Sequence, residues 1–497
     1  MRAAFLALFL AVPVGAKTVR ITVVHTNDMH GWLLPRPDKK TGRPVGGAAA
    51  LAAFINKERA NGGPVLVLDG GDWWQGTPEG SLSKGLAMAE VFDAVGYDAT
   101  VPGNHEYDGG EAQLKAIIAA MRTPVVAANI AVTATGEPVA YVKHTLVKEV
   151  AGIKIGFFGL ITSQMRRLSF PQNVAGITFQ SEVDAARKAV ASLKAQGAEL
   201  VIMLSHVGQE DAKYPGSSDQ AVVRAVPGID LVVGGHNHFS LSPALRVGGT
   251  LVVNTGCYLD KAGKAVLEFD DQTRRVFAST SSLHPLWLDE VGEDPKVKAV
   301  VERWRVEVGA ALDVVVATAA VALTKVRDSD SPMGNWMTDC TRKWTKTDLA
   351  FQNAGGIRTE FAVGPVRLRS IFELMPFDNR LTTLYMKGAD LKDLFEHSVG
   401  RAPGMLQLSG GSVAYDPAAP EGSRVKGVEV RGRALEPDFV YSIAAPDFVV
   451  QGGDGFNAFA AGTDRADHDT MIRDVLGWCA RTEGTLRLPV AGRIKRL

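Results

Sequence analysis

Short apolar runs alternate with amphipathic stretches through the first half of the chain. Residues 18–25 are β-branched and apolar and read as a strand. Residues 47–58 carry helical spacing, 65–68 form a second strand-like run, and 82–95 read as a helix. The alternation continues with 99–101, a helix over 111–121, strands over 125–128 and 153–160, a helix over 182–196, a strand over 200–204, a helix over 219–226 and a strand over 230–233. Such alternation predicts α/β layers. Runs over 251–254 and 264–269 predict an antiparallel closing part. A charged helix follows over 295–308, and the link between two domains is expected there. Beyond it come a strand-like run over 314–326, helices over 334–344, 388–399 and 470–477, and short strands between them, which predict an α+β domain.

Polar signatures sit where these apolar runs end, the place where α/β proteins put their ligands. Asp28 and His30 follow the first run, Asp72 the second, Asn104 and His105 the third. His206 follows 200–204, and His236 and His238 follow 230–233. The pairs Asp28/His30 and His236/His238 are spaced i, i+2, which on an extended strand end points both side chains to one side. One histidine after a strand is usually an ordinary loop residue. Here five of the ten histidines share that placement. Asp28, His30, Asp72, Asn104, His206, His236 and His238 make a mixed nitrogen and oxygen donor set. It suits Mn, Zn, Co, Ni or Fe better than Ca or Mg. Seven donors exceed the needs of one ion and fit two divalent ions, with Asp72 as the shared anion between them.

Composition narrows the class without naming it. The chain has 497 residues, with 54 Lys+Arg against 54 Asp+Glu, so its formal charge is zero. With no basic aromatic stripe, a nucleic-acid partner is not expected. Three cysteines exclude a disulfide scaffold; one bridge with a spare thiol and three buried thiols both remain open. Residues 1–16 have a basic start, an apolar run too short to span a bilayer, and small residues before Lys17. They predict a signal peptide and export to the periplasm or the extracellular space. The basic tail, Arg493 to Leu497, predicts no stable membrane anchor.

The segments His25-Thr26-Asn27-Asp28-Met29-His30-Gly31, Gly71-Asp72, Gly103-Asn104-His105-Glu106-Tyr107-Asp108 and Gly235-His236-Asn237-His238 resemble the calcineurin-like metallophosphoesterase superfamily. More closely, they resemble the 5′-nucleotidase family of exported two-domain enzymes. Asn353-Ala354-Gly355-Gly356-Ile357-Arg358, Met375-Pro376-Phe377-Asp378-Asn379 and Gly452-Gly453-Asp454-Gly455-Phe456 extend the likeness over nearly all the mature chain. The resemblance implies a four-layer α/β/β/α catalytic domain over 17–294, a linker helix over 295–312 and a substrate-binding α+β domain over 313–497. It implies that Asp28, His30 and His238 hold one ion, that Asn104, His206 and His236 hold the other, and that Asp72 bridges. It also implies His105 and Asp108 as the catalytic dyad. Asp108 would orient His105 and raise its pKa; Glu106 is assigned no chemistry.

The implied activity is removal of the 5′-phosphate from nucleoside monophosphates. Arg358 is expected to face the phosphate or ribose, and Phe456 to stack on the base. Asn379, Asp454 and Arg380 are secondary contacts. Met405 stands where the family pattern has a second aromatic, which implies weaker nucleotide affinity or a different substrate, with Tyr415 nearby to compensate. Hydrolysis of UDP-sugars or 2′,3′-cyclic nucleotides is an enzyme alternative. Thiosulfohydrolase chemistry is another, with Asp69 to Gly76 as its trace. The non-enzyme alternative is a secreted binding protein with a degenerate site. No protein partner is implied.

Overall fold

The computed structural model describes residues 18–38, 40–211, 217–400 and 404–497. The predicted signal segment over 1–16 lies outside the described residues. Two sheets lie face to face in the first half. The first has the strand order Arg275–Pro285, Lys261–Asp270, Thr18–Thr26, Val65–Asp69, Ala99–Thr100. The second has the order Leu245–Val247, Thr250–Val253, Leu231–Gly234, Leu200–His206, Ile153–Ile161, Leu146–Val150.

The two-residue period of the strands decides which side chains meet. Ile21, Val23, Leu66 and Leu68 of the first sheet share a buried cluster with Ile155, Phe157, Ile202, Leu204, Leu231 and Val233 of the second. The residues between them turn outward. Val24 and Val67 pack with helices Ala48–Ala60 and Leu86–Val95. Val201, Met203 and Val232 pack with helices Glu182–Ala195 and Asp219–Ala225. The order of layers is therefore α/β/β/α, as the resemblance implied. The central strands of each sheet run parallel. Their carboxyl ends, and the polar signatures after them, thus emerge on the same edge.

The sequence pattern missed several details. Residues 125–128 form no strand: Val126 N–H donates to Thr100 O at 2.8 Å, Ala127 N–H to Lys143 O at 2.9 Å and Ala128 N–H to Gly159 O at 2.8 Å. An apolar run that bonds three different partners stitches the two sheets instead of joining one. The expected helix over 82–95 begins only at Leu86, after Gly85 in the left-handed region. Thr250–Val253 pairs parallel with Leu231–Gly234, whereas Lys261–Asp270 is antiparallel to Thr18–Thr26 as expected. Only Val315–Ala319 of the 314–326 run is a strand.

Helix Pro295–Gly309 buries Val297 and Val301 in the same cluster as Ala48 and Phe92. It packs as part of the first half. The second half centres on the strand order Leu406–Ser409, Leu349–Asn353, Val440–Pro446, Arg380–Lys387, Thr463–Met471. Helices Pro332–Thr345 and Ile472–Glu483 are joined by the Cys340–Cys479 disulfide, and Cys257 is a free thiol. No helix among the described residues is long and apolar enough to cross a membrane.

Candidate metal and catalytic site

The loops after the first two parallel strands zip together: Asp28 N–H donates to Gly71 O at 2.8 Å, His30 N–H to Asp72 O at 2.9 Å and Gly31 N–H to Trp73 O at 2.7 Å. Asp28 and His30 do reach one place, but not as strand residues. Both have φ of 49°, and Asp72, His236 and His238 have φ of 58°, 85° and 58°. Asp and His tolerate this left-handed region better than most residues, yet each such position costs about 1–3 kcal/mol. Surrounding bonds impose it. Asn27 Nδ2 donates to Asp28 Oδ2 at 2.6 Å and to Asn254 Oδ1 at 2.9 Å, while its Oδ1 accepts from Thr255 N–H at 2.8 Å. Asn237 and Gln209 bond reciprocally between the loops carrying His236 and His206.

All seven sequence-predicted donors fall in one cluster, five of them buried and His236 and His238 half-buried. Asp72 Oδ2 lies 3.1 Å from His206 Nε2 and 3.7 Å from His30 Nε2. Asp28 Oδ1 lies 3.5 Å from His238 Nε2 and 4.0 Å from His206 Nε2. His30 Nε2 and His238 Nε2 are 3.0 Å apart, and His236 Nδ1 is 2.9 Å from Asn104 Oδ1. The Asp28–His30–His238 and Asp28–Asp72–His206 donor groups each lie within 4.8 Å, spacing suited to a metal ion.

The chemistry of the donors fits a cation. His30 Nδ1 is 2.8 Å from Gln75 O and His206 Nδ1 is 2.7 Å from Gly70 O. A carbonyl only accepts, so each Nδ1 carries a proton and each Nε2 turns to the carboxylates. His206 Nε2 is buried and faces the Asp72 carboxylate; burial would lower this imidazole, but Asp72 and Asp28 outweigh it and raise it to about 10, so an ion taking Nε2 would displace its proton. Burial, the Arg358 charge and His105 hold His30 well below the ordinary range, and burial with the neighbouring cations does the same to His238. Burial, with help from His206, takes His236 down to about 3. Neutral imidazoles are the ligating form. Burial alone would raise Asp72, but His206, His105 and His30 hold it well below the carboxylate range.

His105 lies beside this cluster. Its ring centroid is 5.2 Å from that of His30, and its N–H donates to Asp72 Oδ1 at 3.0 Å. His105 Nδ1 and Asp108 Oδ2 are 2.7 Å apart. Burial would lower the imidazole, yet the Asp108 and Asp72 carboxylates outweigh it and its pKa is raised. Glu106 proves to be structural: its carboxylate accepts from the N–H groups of Asp72, Trp73 and Gly103 at 2.9, 2.7 and 2.6 Å. It fixes the loops of Asp72 and Asn104 together.

The second half contributes Arg358, 8% exposed, whose Nη2 donates to His30 Nε2 at 3.0 Å. Phe377 packs against both His105 and Arg358. Asp454 accepts from Asn353 Nδ2 at 2.7 Å; burial raises its pKa against the pull of Asn353, Arg327, Arg167 and His105. Asn379 donates to Asp447 and holds a local turn. Phe456 and Met405 are only 2% and 7% exposed and sit in the core of the second half, Phe456 edge-on to His397. Tyr415 is buried in the same core. Neither Phe456 nor Met405 presents an open face. Arg380 is not brought into the cluster; it is half-exposed and pairs with Asp469. Sequence reasoning missed Arg327, Tyr258 and Phe377. Phe377 stood in a quoted motif, while Arg327 and Tyr258 carry no local signal.

Comparison with known proteins agrees with this geometry. Residues 21–240 match the calcineurin-like phosphoesterase model, and residues 309–461 match the 5′-nucleotidase C-terminal domain. The 5′-nucleotidase of Bos taurus is 30% identical over 93% of this chain and 88% of its own length. A 5′-nucleotidase precursor from Thermus thermophilus superposes with a TM-score of 0.88 at 28% identity, covering 96% of this chain and 99% of that one. The sulfate thiohydrolase SoxB of the same organism shares the fold at 21% identity, with a TM-score of 0.83 and 96% of both chains covered. The chain belongs to the 5′-nucleotidase family and is a metal-dependent phosphoester hydrolase.

Proposed function

We propose that the protein is exported, holds two divalent transition-metal ions, and removes the 5′-phosphate from nucleoside monophosphates such as AMP. The convergence of Asp28, Asp72 and His206 beside the His105–Asp108 pair carries this reading. Asp28, His30 and His238 would hold one ion and Asn104, His206 and His236 the other, with Asp72 available to both. When bound, the two ions supply Lewis acidity to the phosphoryl oxygens and acidify the attacking water.

The remaining work belongs to side chains. His105, held as an imidazolium by Asp108, donates a proton or a hydrogen bond to a phosphoryl or leaving oxygen. Arg358 gives a fixed positive charge beside His30 and pairs with the phosphate or ribose. Residues 17–294 form the catalytic domain, 295–312 the link and 313–497 the substrate domain. Because Phe456 is covered, stacking of a base on it requires the Gly452–Phe456 segment to shift. Replacement of a second aromatic by Met405 weakens nucleotide binding.

The test is a substrate screen on metal-loaded full-length protein. AMP, a UDP-sugar, a 2′,3′-cyclic nucleotide, bis-p-nitrophenyl phosphate and a thiosulfonate are compared for wild type and His105→Ala. Phosphate release from AMP that falls about 100-fold in His105→Ala is the expected result, within the range for general acid–base groups. Turnover of sulphur substrates alone, or nucleotide binding without turnover, would overturn the assignment.

A further inference from the structure

Tyr258 meets four of the residues assigned above from a position that no sequence motif marks. Its N–H donates to the carbonyl of Asp28 at 2.8 Å. Its ring stands edge to face with His30 at 5.7 Å and with His238 at 5.6 Å, the interplanar angles being 64° and 74°. Its hydroxyl reaches the carbonyl of Arg358, in the other half of the chain, through a long 3.4 Å bond. The residue is also braced. Trp32 packs on it at 5.4 Å, and the Arg36 guanidinium lies over both rings, 4.2 Å from Trp32 and 5.5 Å from Tyr258. Arg36 Nη1 donates to the Tyr258 carbonyl at 2.9 Å, and Arg36 itself is held by Asp260 at 2.7 Å. Tyr258 and Leu259 both adopt left-handed backbone, with φ of 65° and 57°. Bulky residues take that conformation only when their surroundings dictate it.

The physical consequence follows from what each contact restrains. His30 Nδ1 is tied to Gln75 O, which sets its tautomer, and Nε2, which accepts from Arg358, is the atom an ion would take; neither bond fixes the tilt of the ring plane. Among the described residues no backbone carbonyl ties His238 in the same way, and it sits at a left-handed loop position. An aromatic ring wedged edge-on against both imidazoles fixes the tilt. Groups behind the ligands commonly set metal affinity in this way. The hydroxyl does something separate, because it touches only the backbone beside Arg358.

We propose that Tyr258 is a positioning residue: its ring sets the angle between His30 and His238, and its hydroxyl registers Arg358 against them. The inference rests on the ligand assignment made above. It divides into a ring effect on metal binding and a hydroxyl effect on substrate binding, which two substitutions separate.

The experiment uses the full chain and Co²⁺, whose visible spectrum reports ligand geometry directly. Wild type is titrated first; failure of wild type to bind Co²⁺ would sink the ligand assignment rather than this inference. Tyr258→Phe keeps the ring, so its Co²⁺ affinity and spectrum are expected to match wild type. Loss of the hydroxyl bond is expected to raise KM for AMP about two- to tenfold with kcat little changed. Tyr258→Leu removes the ring and is expected to weaken Co²⁺ binding about 10- to 100-fold and alter the spectrum. Should Tyr258→Leu fail to fold, Arg36→Met gives the same arm, since it removes the outer brace at a partly exposed position; a weaker Co²⁺ affinity is expected. Wild-type Co²⁺ affinity and spectrum in the ring arm would overturn the ring role. A wild-type KM in Tyr258→Phe would overturn the hydroxyl role.

Discussion

Gly103→Ala should disable the site while leaving the fold standing. Gly103 immediately precedes Asn104. A Cβ placed on it would fall 2.1 Å from Asp72 Oδ1, 2.7 Å from Asp72 N and 2.8 Å from Asp72 Cγ. Ordinary contact begins at 3.4 Å, so one of the two residues must give by about 1.3 Å. Neither has room. Glu106 holds the N–H of both Asp72 and Gly103, the Asp72 carbonyl accepts from His30, and Asp72 Oδ1 accepts from His105 N–H. The displacement therefore lands on the carboxylate proposed to be shared between two ions. A misplacement of about 1 Å in a reacting constellation costs about 100-fold in rate. Overpacking of this size costs about 1–3 kcal/mol of stability. The assay is AMP hydrolysis and Co²⁺ titration on Gly103→Ala, with thermal unfolding in parallel. Gly427→Ala is the control, because nothing lies within 4 Å of the added Cβ. If Gly103→Ala kept kcat and Co²⁺ affinity within about twofold of wild type, the claim that Asp72 is rigidly held at the reacting centre would fail, since a shift of about 1.3 Å cannot vanish into a fixed frame.

Other tests probe the frame. Arg369 Nη1 lies 2.8 Å from each oxygen of the nearly fully buried Glu79 and ties the two halves of the chain; Glu79→Gln is expected to cost about 3 kcal/mol in urea unfolding, and Glu79→Met/Arg369→Met to recover much of it. Burial pushes Glu373 from its ordinary 4.5 up to about 7. Between those values the folded chain keeps a proton that the unfolded chain has lost, so this group costs more stability as pH rises toward 7. Glu373→Gln is therefore expected to gain Tm over wild type between pH 5 and 8 and to show no gain at pH 4. The Cys340–Cys479 bridge closes a sequence separation of 139 residues; Cys340→Ser/Cys479→Ser is expected to lose about 2–5 kcal/mol with kcat for AMP unchanged.

Much of the site was legible because its chemistry is local in sequence. Each ligand follows an apolar strand run, and strand runs are what periodicity detects best. Periodicity predicted only α/β layering, and the order of the four layers came from the family resemblance: Val201, Ile202, Met203 and Leu204 are all apolar, so which pair faces the other sheet is visible only in the packing. Residues 125–128 defeated the pattern because apolar character reports burial, not which partners the backbone bonds. The i, i+2 argument reached the right convergence of Asp28 with His30 through the wrong backbone. Left-handed φ at both is imposed by Asn27 and by the Gly71–Trp73 loop, and neither leaves a periodic trace. Phe456 was expected to stack on a base. It is buried in one cluster with Phe351, Phe395 and Phe459, contacts fixed by tertiary packing alone. Arg380 was drawn toward the site by sequence proximity to Asn379, but strand pairing with Thr463–Met471 directs it to Asp469.

The strained loops and the buried sheets are two halves of one arrangement. Five of the seven proposed ligands hold left-handed backbone, which at about 1–3 kcal/mol each is comparable to the whole stability of a typical domain. Such a load persists only where the frame cannot relax. The frame here is unusually closed: Asn27, Glu106 and Asn237 each hold backbone or side-chain groups on a neighbouring loop, and all three are themselves buried or half-buried. Each spends its polar groups on the loops. The parallel strands beneath anchor the start of each loop, and those strands are locked by a sheet interface packed with Ile21, Val23, Leu66 and Phe157. The backbone freedom of the proposed donors is thus restricted by the protein itself. Where that control is thinnest, at His238 and at the seam with Arg358, the chain has placed an aromatic ring.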